Sequence, residues 1–263
     1  MENGKPGAAT TRICVARPDG VEVRGRDLCR DLMGRLSFTE YFYLLVTGNE
    51  PTEDQRFFLD LLLVAIAEHG MTPTVQAARM TLAADPDSLQ AALAAGILGC
   101  GSVLLGTSEA CGRLLGQVQA RVAGGEGAKT ASLGVVRDYR NSGRKVPGFG
   151  HPLHRPVDPR TVRIFELAAA RGIGGTHVGL ARNIDDAVAE IWGKRLVMNV
   201  SMPIAAVLMD LDFPAAMIKA IPLLARTGGI LAHLAEEQQN PLGFALAASA
   251  EAAVSYRGQD EGD

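Results

Sequence analysis

The sequence lacks the features that mark several classes of protein. Its four cysteines include no C-x-x-C pair, so we expect neither a metal site nor a disulfide framework. No uninterrupted apolar run reaches the length of about 18 residues that a membrane span needs, so we expect no contact with a membrane. The polar opening, MENGKPGAATTR, predicts no signal peptide. We therefore expect a cytoplasmic protein.

A surplus of one charge is also missing. The 26 basic and 29 acidic side chains among 263 residues give a net charge of −3, which argues against a nucleic-acid partner. A local basic pocket for a phosphate or a carboxylate is still compatible with this balance. Hydrophobic residues make up 47% of the chain, so we expect one or two domains with a substantial core.

The patterns that are present are mostly helical, and they predict an all-α fold. Only Ile13–Ala16 and Val21–Val23 are typical of strands. The segment Pro18–Gly20 between them has the composition of a turn, so these residues predict one short N-terminal β-hairpin.

Capping signals and apolar spacing predict where the helices lie. Thr52 and Gln55 are spaced as a capping box for a helix that we expect to end at Gly70. Asp158, which precedes a proline, predicts the N-cap of another helix. The segment 88–104 is so rich in Ala, Leu and Ile that it predicts a helix buried nearly all round, either central or at a subunit interface, or else an ordinary core helix. We also predict helices over 183–192, 203–211, 214–226 and 227–238, and a disordered tail from residue 257.

The densest group of functional side chain types lies between Pro147 and Arg160, in the segment PGFGHPLHRPVDPR. Its two closely spaced glycines allow backbone N–H groups to approach a ligand. His151 follows them, and Arg155 and Arg160 come next. Arg160 would lie in the first turn of a helix, where a basic side chain opposes the helix dipole, so its position favours a functional role. An imidazole and guanidinium groups suit a ligand with a carbonyl or hydroxyl and several carboxylates.

These residues resemble the citrate synthase signature G-[FYI]-G-H-x(6)-D-P-R. The segment Gly148–His151 supplies its first half and Asp158–Arg160 its second half. Other family motifs resemble stretches found here in the same order, at Glu68–Gly70, Met198–Val200 and Arg226–His233.

The opening of the chain resembles the citryl-CoA lyase branch of that family more than true synthases. Lys5–Gly7 and the modest length are similar to free-standing citryl-CoA lyases and to the C-terminal domain of ATP-citrate lyase. The resemblance implies a large helical domain (1–106 and 210–263), a small helical domain (107–209), and a homodimer or higher oligomer.

The resemblance also implies roles for individual residues. His69 and His151 would be catalytic, with His151 polarising a carbonyl or taking a hydroxyl proton. Arg160, Arg226 and Asn199 would bind the oxo- or hydroxy-acid. The residues that would lie near coenzyme A are Gly148, Phe149, Gly150 and Arg155.

The half of the site that would hold the thioester departs from the family pattern. Leu104 stands where synthases have a histidine, and Ser201 stands where they have an aspartate. A hydroxyl is not a general base without an activating partner. Ser201 is a catalytic candidate that would need such a partner, and water or Asp210 are the alternatives for proton transfer. No basic residue follows Arg226 before Arg257, so an arginine that the family lends from a second subunit is missing or is supplied by Arg257.

Three functions fit these residues. The first is cleavage of citryl-CoA to acetyl-CoA and oxaloacetate by retro-Claisen chemistry. The second is condensation, as in citrate synthase, or cleavage of a different β-hydroxyacyl-CoA. The third is a non-catalytic protein that binds a dicarboxylate or coenzyme A. None of them needs a metal or a tightly bound cofactor, because coenzyme A enters only as part of the substrate and product.

We expect several other polar residues to have no part in catalysis. His154 contacts a coenzyme A phosphate or faces solvent, and His177 belongs to a surface loop rich in glycine. His233 is expected to pack beneath the site. Glu236 and Glu237 are expected to form a solvated face.

Overall fold

The computed structural model describes residues 10–257. Most of this range is helical, so the prediction of an all-α fold is confirmed. Lys5–Gly7 and the tail beyond Arg257 lie outside the described residues. Contacts divide the chain into two units, the first ending at Asp60 and the second beginning at Leu61. The division into a large and a small helical domain stays a prediction.

The first unit contains a three-stranded antiparallel sheet. Its strands are β1 (Cys14–Arg17), β2 (Gly20–Val23) and β3 (Arg26–Asp27), in that spatial order. The predicted hairpin is confirmed, and β3 extends it. A short π-helical turn (Leu28–Leu32) and helix α1 (Phe38–Thr47) follow. The core of this unit forms around Val23, Leu32 and Leu44.

Helix α2 (Glu53–Ala67) begins at the predicted capping box. The backbone N–H of Thr52 donates to Gln55 Oε1 at 2.8 Å, and the N–H of Gln55 donates to Thr52 Oγ1 at 3.2 Å. The helix ends three residues before Gly70, because the Glu68 carboxylate accepts the N–H groups of the next two residues, each at 2.7 Å. This early end turns the chain so that residue 69 leaves the helix.

The remaining helices of the second unit form two packed groups. Their bounds are α3 (Pro73–Ala84), α4 (Leu89–Leu98), α5 (Thr107–Ala123), α6 (Ala128–Asn141), α7 (Pro159–Ala170), α8 (Thr176–Trp192), α9 (Ser201–Asp210), α10 (Ala220–Gln239) and α11 (Gly243–Ala252). In one group α3, α4, α10 and α11 pack together. In the other group α5, α6, α8 and α9 pack together, and α7 packs against α9.

The prediction of one helix over 88–104 that is buried nearly all round was wrong. Helix α4 stops at Leu98, which is 84% exposed, and within the helix only Ala92 and Gly96 are buried. One side of α4 does join a core, because Ala92 belongs to a buried cluster against which Leu93 and Ile97 pack. Apolar composition identified a helix here, but composition does not tell which side other elements cover. The subunit-interface reading stays a prediction.

Two other helix boundaries differ from the predictions. Helix α8 begins at Thr176, seven residues before the predicted start, because the Asp210 carboxylate accepts the N–H groups of His177 and Val178 at 2.7 and 3.0 Å. This cap comes from a distant residue, so no local signal announces it. His177 is therefore buried in a helix, and its assignment to a surface loop was wrong. Helix α10 runs unbroken past Arg226, where two helices were predicted.

The segment Ala215–Gln239 is long and apolar enough to cross a membrane by length and composition alone, a test that core helices of soluble proteins also pass. Its helix, α10, packs on α3 and α4 and carries a buried ion pair. Arg79 Nε lies 3.2 Å from the carboxylate of Glu237, which is only 4% exposed. The predicted solvated face therefore holds for Glu236 but not for Glu237.

Candidate active site

A cavity of about 250 Å³ in the second unit brings together most of the predicted site residues. The N-terminal turns of α3, α5, α7 and α9 all reach it. An N-terminal turn presents free N–H groups and about half a positive charge, so four of them create a site that favours anions. The lining residues are Ile66, His69, Thr72, Thr74, Val103, Leu104, Leu105, Thr107, Ser108, Gly150, His151, Pro152, Arg160, Asn199, Val200, Ser201 and Arg226.

Three histidines lie side by side at this cavity. The ring centroids of His69 and His151 are 5.6 Å apart, and His154 stacks on His151 at 4.3 Å. His151 Nδ1 accepts the backbone N–H groups of Leu153 and His154 at 3.1 and 2.8 Å. The neutral ring therefore carries its proton on Nε2, which favours donation to a substrate oxygen over uptake of a proton.

The pKa values of two of these rings are lowered, which favours their neutral form. Burial lowers the pKa of His69, and the charge of Arg160 lowers it further. Burial likewise lowers the pKa of His151, aided by His154 and opposed by the nearby Asp158 carboxylate. A neutral imidazole can donate or accept a single hydrogen bond at each nitrogen, as an acid–base site requires.

The three histidines also have a spacing that a metal ion could use. One nitrogen from each ring lies within 4.8 Å of the others. However, Nδ1 of His151 is engaged by the backbone, and its Nε2 lies 3.5 Å from the Arg160 guanidinium. Arg226 lines the same cavity without a salt bridge in the described residues, so its positive charge disfavours a cation there. The expectation of no metal stays a prediction.

Arg160 is anchored by the N-cap of its own helix. Asp158 is fully buried, and its carboxylate accepts Arg160 Nε at 3.0 Å and Nη2 at 2.8 Å. It also accepts the backbone N–H of Val200 at 3.1 Å, which ties α7 to the start of α9. Burial alone would raise the pKa of Asp158, but these bonds more than offset that effect and lower it. The carboxylate is thus ionised, and it fixes Arg160 instead of exchanging protons.

Arg226 is a buried cation that has no carboxylate partner in the described part of the chain. The residue is only 4% exposed and lines the cavity. It donates to Thr72 Oγ1 at 3.3 Å and to the Ile66 carbonyl at 3.2 Å, while its Nε has no partner among residues 10–257. Burial lowers its pKa, but a guanidinium stays protonated in proteins. Such a group is stabilised when a bound carboxylate completes its hydrogen bonds.

The turn that carries His69 rests on α10. His233 Nε2 pairs with Glu68 Oε2 at 2.9 Å, so His233 lies beneath the site, as expected. A side chain at Gly229 would overlap the carbonyl oxygen of Ala67. The glycine of the Arg226–His233 motif therefore allows the end of α2 to lie directly on α10.

Asn199 and Ser201 occupy different roles at the start of α9. The Asn199 amide donates to the Gly150 carbonyl at 3.0 Å and accepts the Ser201 N–H at 3.1 Å, so both of its polar ends are engaged within the protein. Ser201 lines the cavity, and its hydroxyl makes no hydrogen bond to a histidine or a carboxylate among the described residues. Asp210, the alternative proton carrier, caps α8 and does not line the cavity.

The residues predicted near coenzyme A separate into two groups. Gly150 lines the cavity. Gly148 is buried and packs closely against Cys111, because a Cβ at this position would lie 2.8 Å from the Cys111 Sγ atom. Phe149 pairs with Met198 in an isolated β-bridge. Arg155 is exposed outside the lining, as is Arg257.

Two cavity features were missed from the sequence. Ser108 and Thr107, in the first turn of α5, reach the cavity, and the only local signal was a glycine followed by two hydroxyl residues. His154 packs against both of the other histidines, and the three-residue spacing after His151 could have indicated that contact.

Comparison with known proteins identifies a family. The model named "Citrate synthase, C-terminal domain" matches residues 22–243. "Putative citrate synthase 2" of Mycobacterium tuberculosis is 30% identical over 195 residues, which is 72% of this chain and 50% of that protein. The chain thus spans about half the length of the curated relatives it matches.

Solved structures give a fuller overlap. The citryl-CoA lyase of Hydrogenobacter thermophilus superposes with a TM-score of 0.84 at 29% identity, covering 98% of this chain and 97% of that one. The ATP citrate lyase of Methanothrix soehngenii, solved with citrate and coenzyme A, gives a TM-score of 0.78 at 19% identity, covering 98% of this chain and 43% of that one. The second likeness concerns the fold alone.

Proposed function

Because this chain belongs to the citrate synthase family, on its citryl-CoA lyase branch, we propose that it cleaves a β-hydroxyacyl-CoA, with citryl-CoA as the first candidate. The products would be acetyl-CoA and oxaloacetate. The buried Arg226, which lacks a carboxylate partner in the described residues, is the observation that carries the proposal. A second guanidinium, that of Arg160, opens on the same cavity, so two carboxylates of one small acid have partners.

Cleavage by a retro-Claisen reaction begins at the β-hydroxyl group. His69 accepts the hydroxyl proton, because its lowered pKa favours the neutral ring, which has an unprotonated nitrogen. The C–C bond then breaks, the hydroxyl oxygen becomes the carbonyl oxygen of oxaloacetate, and the bonding electron pair passes to the thioester as an enolate. His151 donates from Nε2 to the carbonyl oxygen throughout, and Asn199 positions the loop that carries it.

The enolate carbon must then gain a proton. In the proposed step Ser201, at the first position of α9 and in the cavity lining, delivers it and takes another from water. The hydroxide that remains is neutralised by the proton that His69 took up, so both side chains return to their starting state. This role requires a hydroxyl donor, so it does not depend on the activating base that Ser201 lacks among the described residues. A closed cavity would exclude bulk water from the enolate.

A second candidate is cleavage or condensation involving a different β-hydroxyacyl-CoA with fewer carboxylates. Its support is an apolar wall beside the arginines, formed by Ile66, Leu104 and Leu105. An alkyl substituent would be stabilised there by about 25 cal/mol per Å² of buried surface, whereas a third carboxylate would lose its hydration.

Ligands and assembly follow from the same proposal. Coenzyme A would bind near Gly148–Gly150 and Arg155 as part of the substrate, with no tightly bound cofactor. A homodimer or higher oligomer would cover the exposed side chains of Leu98 and Val103, whose exposures are 84% and 85%. The protein would act in the cytoplasm.

The test is cleavage of citryl-CoA by the purified protein, with malate dehydrogenase and NADH reporting oxaloacetate. We expect His151→Ala to lower kcat by about 10²-fold or more, since removing one donor to a reacting oxygen has an effect of this size. The matched control is Arg137→Gln, which changes an exposed residue and should keep full activity.

Other results would choose among the alternatives. A protein that binds oxaloacetate and coenzyme A but leaves citryl-CoA intact would shift the search to other hydroxyacyl thioesters. If no thioester of this class reacts, the non-catalytic binding protein is the correct reading.

A further inference from the structure

The first turn of α5 contains a buried hydroxyl whose contacts within the protein are incomplete. Ser108 is 1% exposed and lines the cavity, and its hydroxyl makes no hydrogen bond within residues 10–257. The turn also has no side-chain cap at Gly106, its N-cap residue. Buried hydroxyl groups in native proteins are nearly always hydrogen-bonded to protein or to ordered water, so a water or a ligand group in the cavity would complete this one.

The position of this turn is fixed tightly. The N–H of Gly106 donates to the carbonyl of Gly101 at 3.0 Å and closes the loop before α5. A Cβ at Gly106 would lie 2.6 Å from the same carbonyl oxygen, so only glycine permits this closure. Because the loop is closed in this way, Ser108 is held in place before any ligand arrives, which is the condition for effective electrostatic stabilisation.

The charges of the side chains that line the cavity indicate which part of the ligand Ser108 meets. Arg160 and Arg226 are suited to the carboxylates of the acid. The other lining residues from this turn and the loop before it, Thr107, Leu104 and Leu105, carry no charge. A neutral hydroxyl and the positive end of a helix favour an oxygen that is uncharged in the substrate and gains negative charge during the reaction.

We propose that Ser108 donates its hydroxyl hydrogen to the thioester oxygen of the acyl-CoA as that oxygen becomes an enolate. The inference rests on the proposed function and adds a catalytic residue to it. As the C–C bond breaks, its electron pair forms the enolate C=C bond, and the carbonyl π electrons move onto the oxygen that faces Ser108. The oxygen returns to a carbonyl when the enolate carbon takes up its proton, and Ser108 keeps its own hydrogen throughout.

The experiment compares Ser108→Ala and Ser108→Cys with Ser132→Ala. Ser132 is the control because it is a buried serine whose hydroxyl has no partner among the described residues, and it lies on α6 and does not line the cavity. The cysteine fills the same space with a weak donor, so it tests the hydrogen bond even if the alanine variant folds poorly. We expect both Ser108 variants to lower kcat by about 10²-fold with a much smaller change in KM, and Ser132→Ala to leave both parameters unchanged.

A binding measurement separates this inference from the proposed function. Carboxymethyl-CoA carries a carboxylate oxygen where the enolate oxygen would form, and calorimetry in the presence of oxaloacetate gives its Kd. We expect about a 10-fold or greater loss of affinity in the Ser108 variants, with the Kd of oxaloacetate alone unchanged. Wild-type kcat and affinity retained in Ser108→Cys would overturn the inference. A wild-type protein that binds neither probe would instead overturn the proposed function.

Discussion

Two kinds of polar side chain line the cavity. Arg160 and Arg226 carry full charges; a buried carboxylate fixes Arg160, whereas Arg226 forms no salt bridge within residues 10–257. Ser108 and Ser201 are neutral hydroxyls at helix N-termini. The comparison indicates that fixed charge would select the ligand, while neutral donors would respond to charge that develops during the reaction.

The largest effect is expected from removing one of the two charged side chains, that of Arg226. Arg226→Gln should lower kcat/KM for the acyl-CoA substrate by about 10³-fold, because a buried guanidinium–carboxylate interaction contributes about 4 kcal/mol. The affinity for coenzyme A alone should not change. Steady-state kinetics and calorimetry measure the two quantities. An unchanged kcat/KM in Arg226→Gln would mean that the substrate carboxylates bind elsewhere.

The next effect concerns the buried ion pair between Arg79 and Glu237, which lies outside the cavity. Arg79→Met should lower the free energy of unfolding by about 3–5 kcal/mol, because it leaves the buried Glu237 carboxylate unpaired. Urea denaturation measures this change. The double variant with Glu237→Leu should recover part of the loss, and the folded single variant should keep its kcat. A loss of kcat in folded Arg79→Met would show that this ion pair also serves the site.

The smallest effect is expected from a change of pH, which alters the protonation of the two histidines. Since the pKa values of His69 and His151 are lowered below the ordinary 6.5, kcat/KM should be level down to pH 6.5 and fall about tenfold per unit only below the lowered values. The unfolded chain takes up these protons first as the pH falls, so the stability these rings contribute is lost from pH 6.5 downward through the folded pKa. The pH profiles of kcat/KM and of urea midpoints check both statements, and an acid limb above pH 6.5 would contradict them.

The sequence was informative wherever a structure depends on neighbours along the chain. Thr52 with Gln55 and Asp158 with its following proline predicted two helix starts correctly, because a cap joins residues two or three positions apart. The start of α8 was missed because its cap, Asp210, lies 33 residues from His177. Apolar composition likewise identified α4 but not its exposed side.

By itself, the sequence determined the helical class, the hairpin and the residue types that resemble the citrate synthase motifs, since these follow from local spacing and side-chain chemistry. Only the tertiary structure decided that His151 holds its proton on Nε2, that Arg226 is buried without a carboxylate in the described range, and that Ser108 reaches the cavity. The physical reason is that a pKa, a tautomer or an unpaired donor depends on every group within a few ångströms, and folding brings most of those groups from distant parts of the chain.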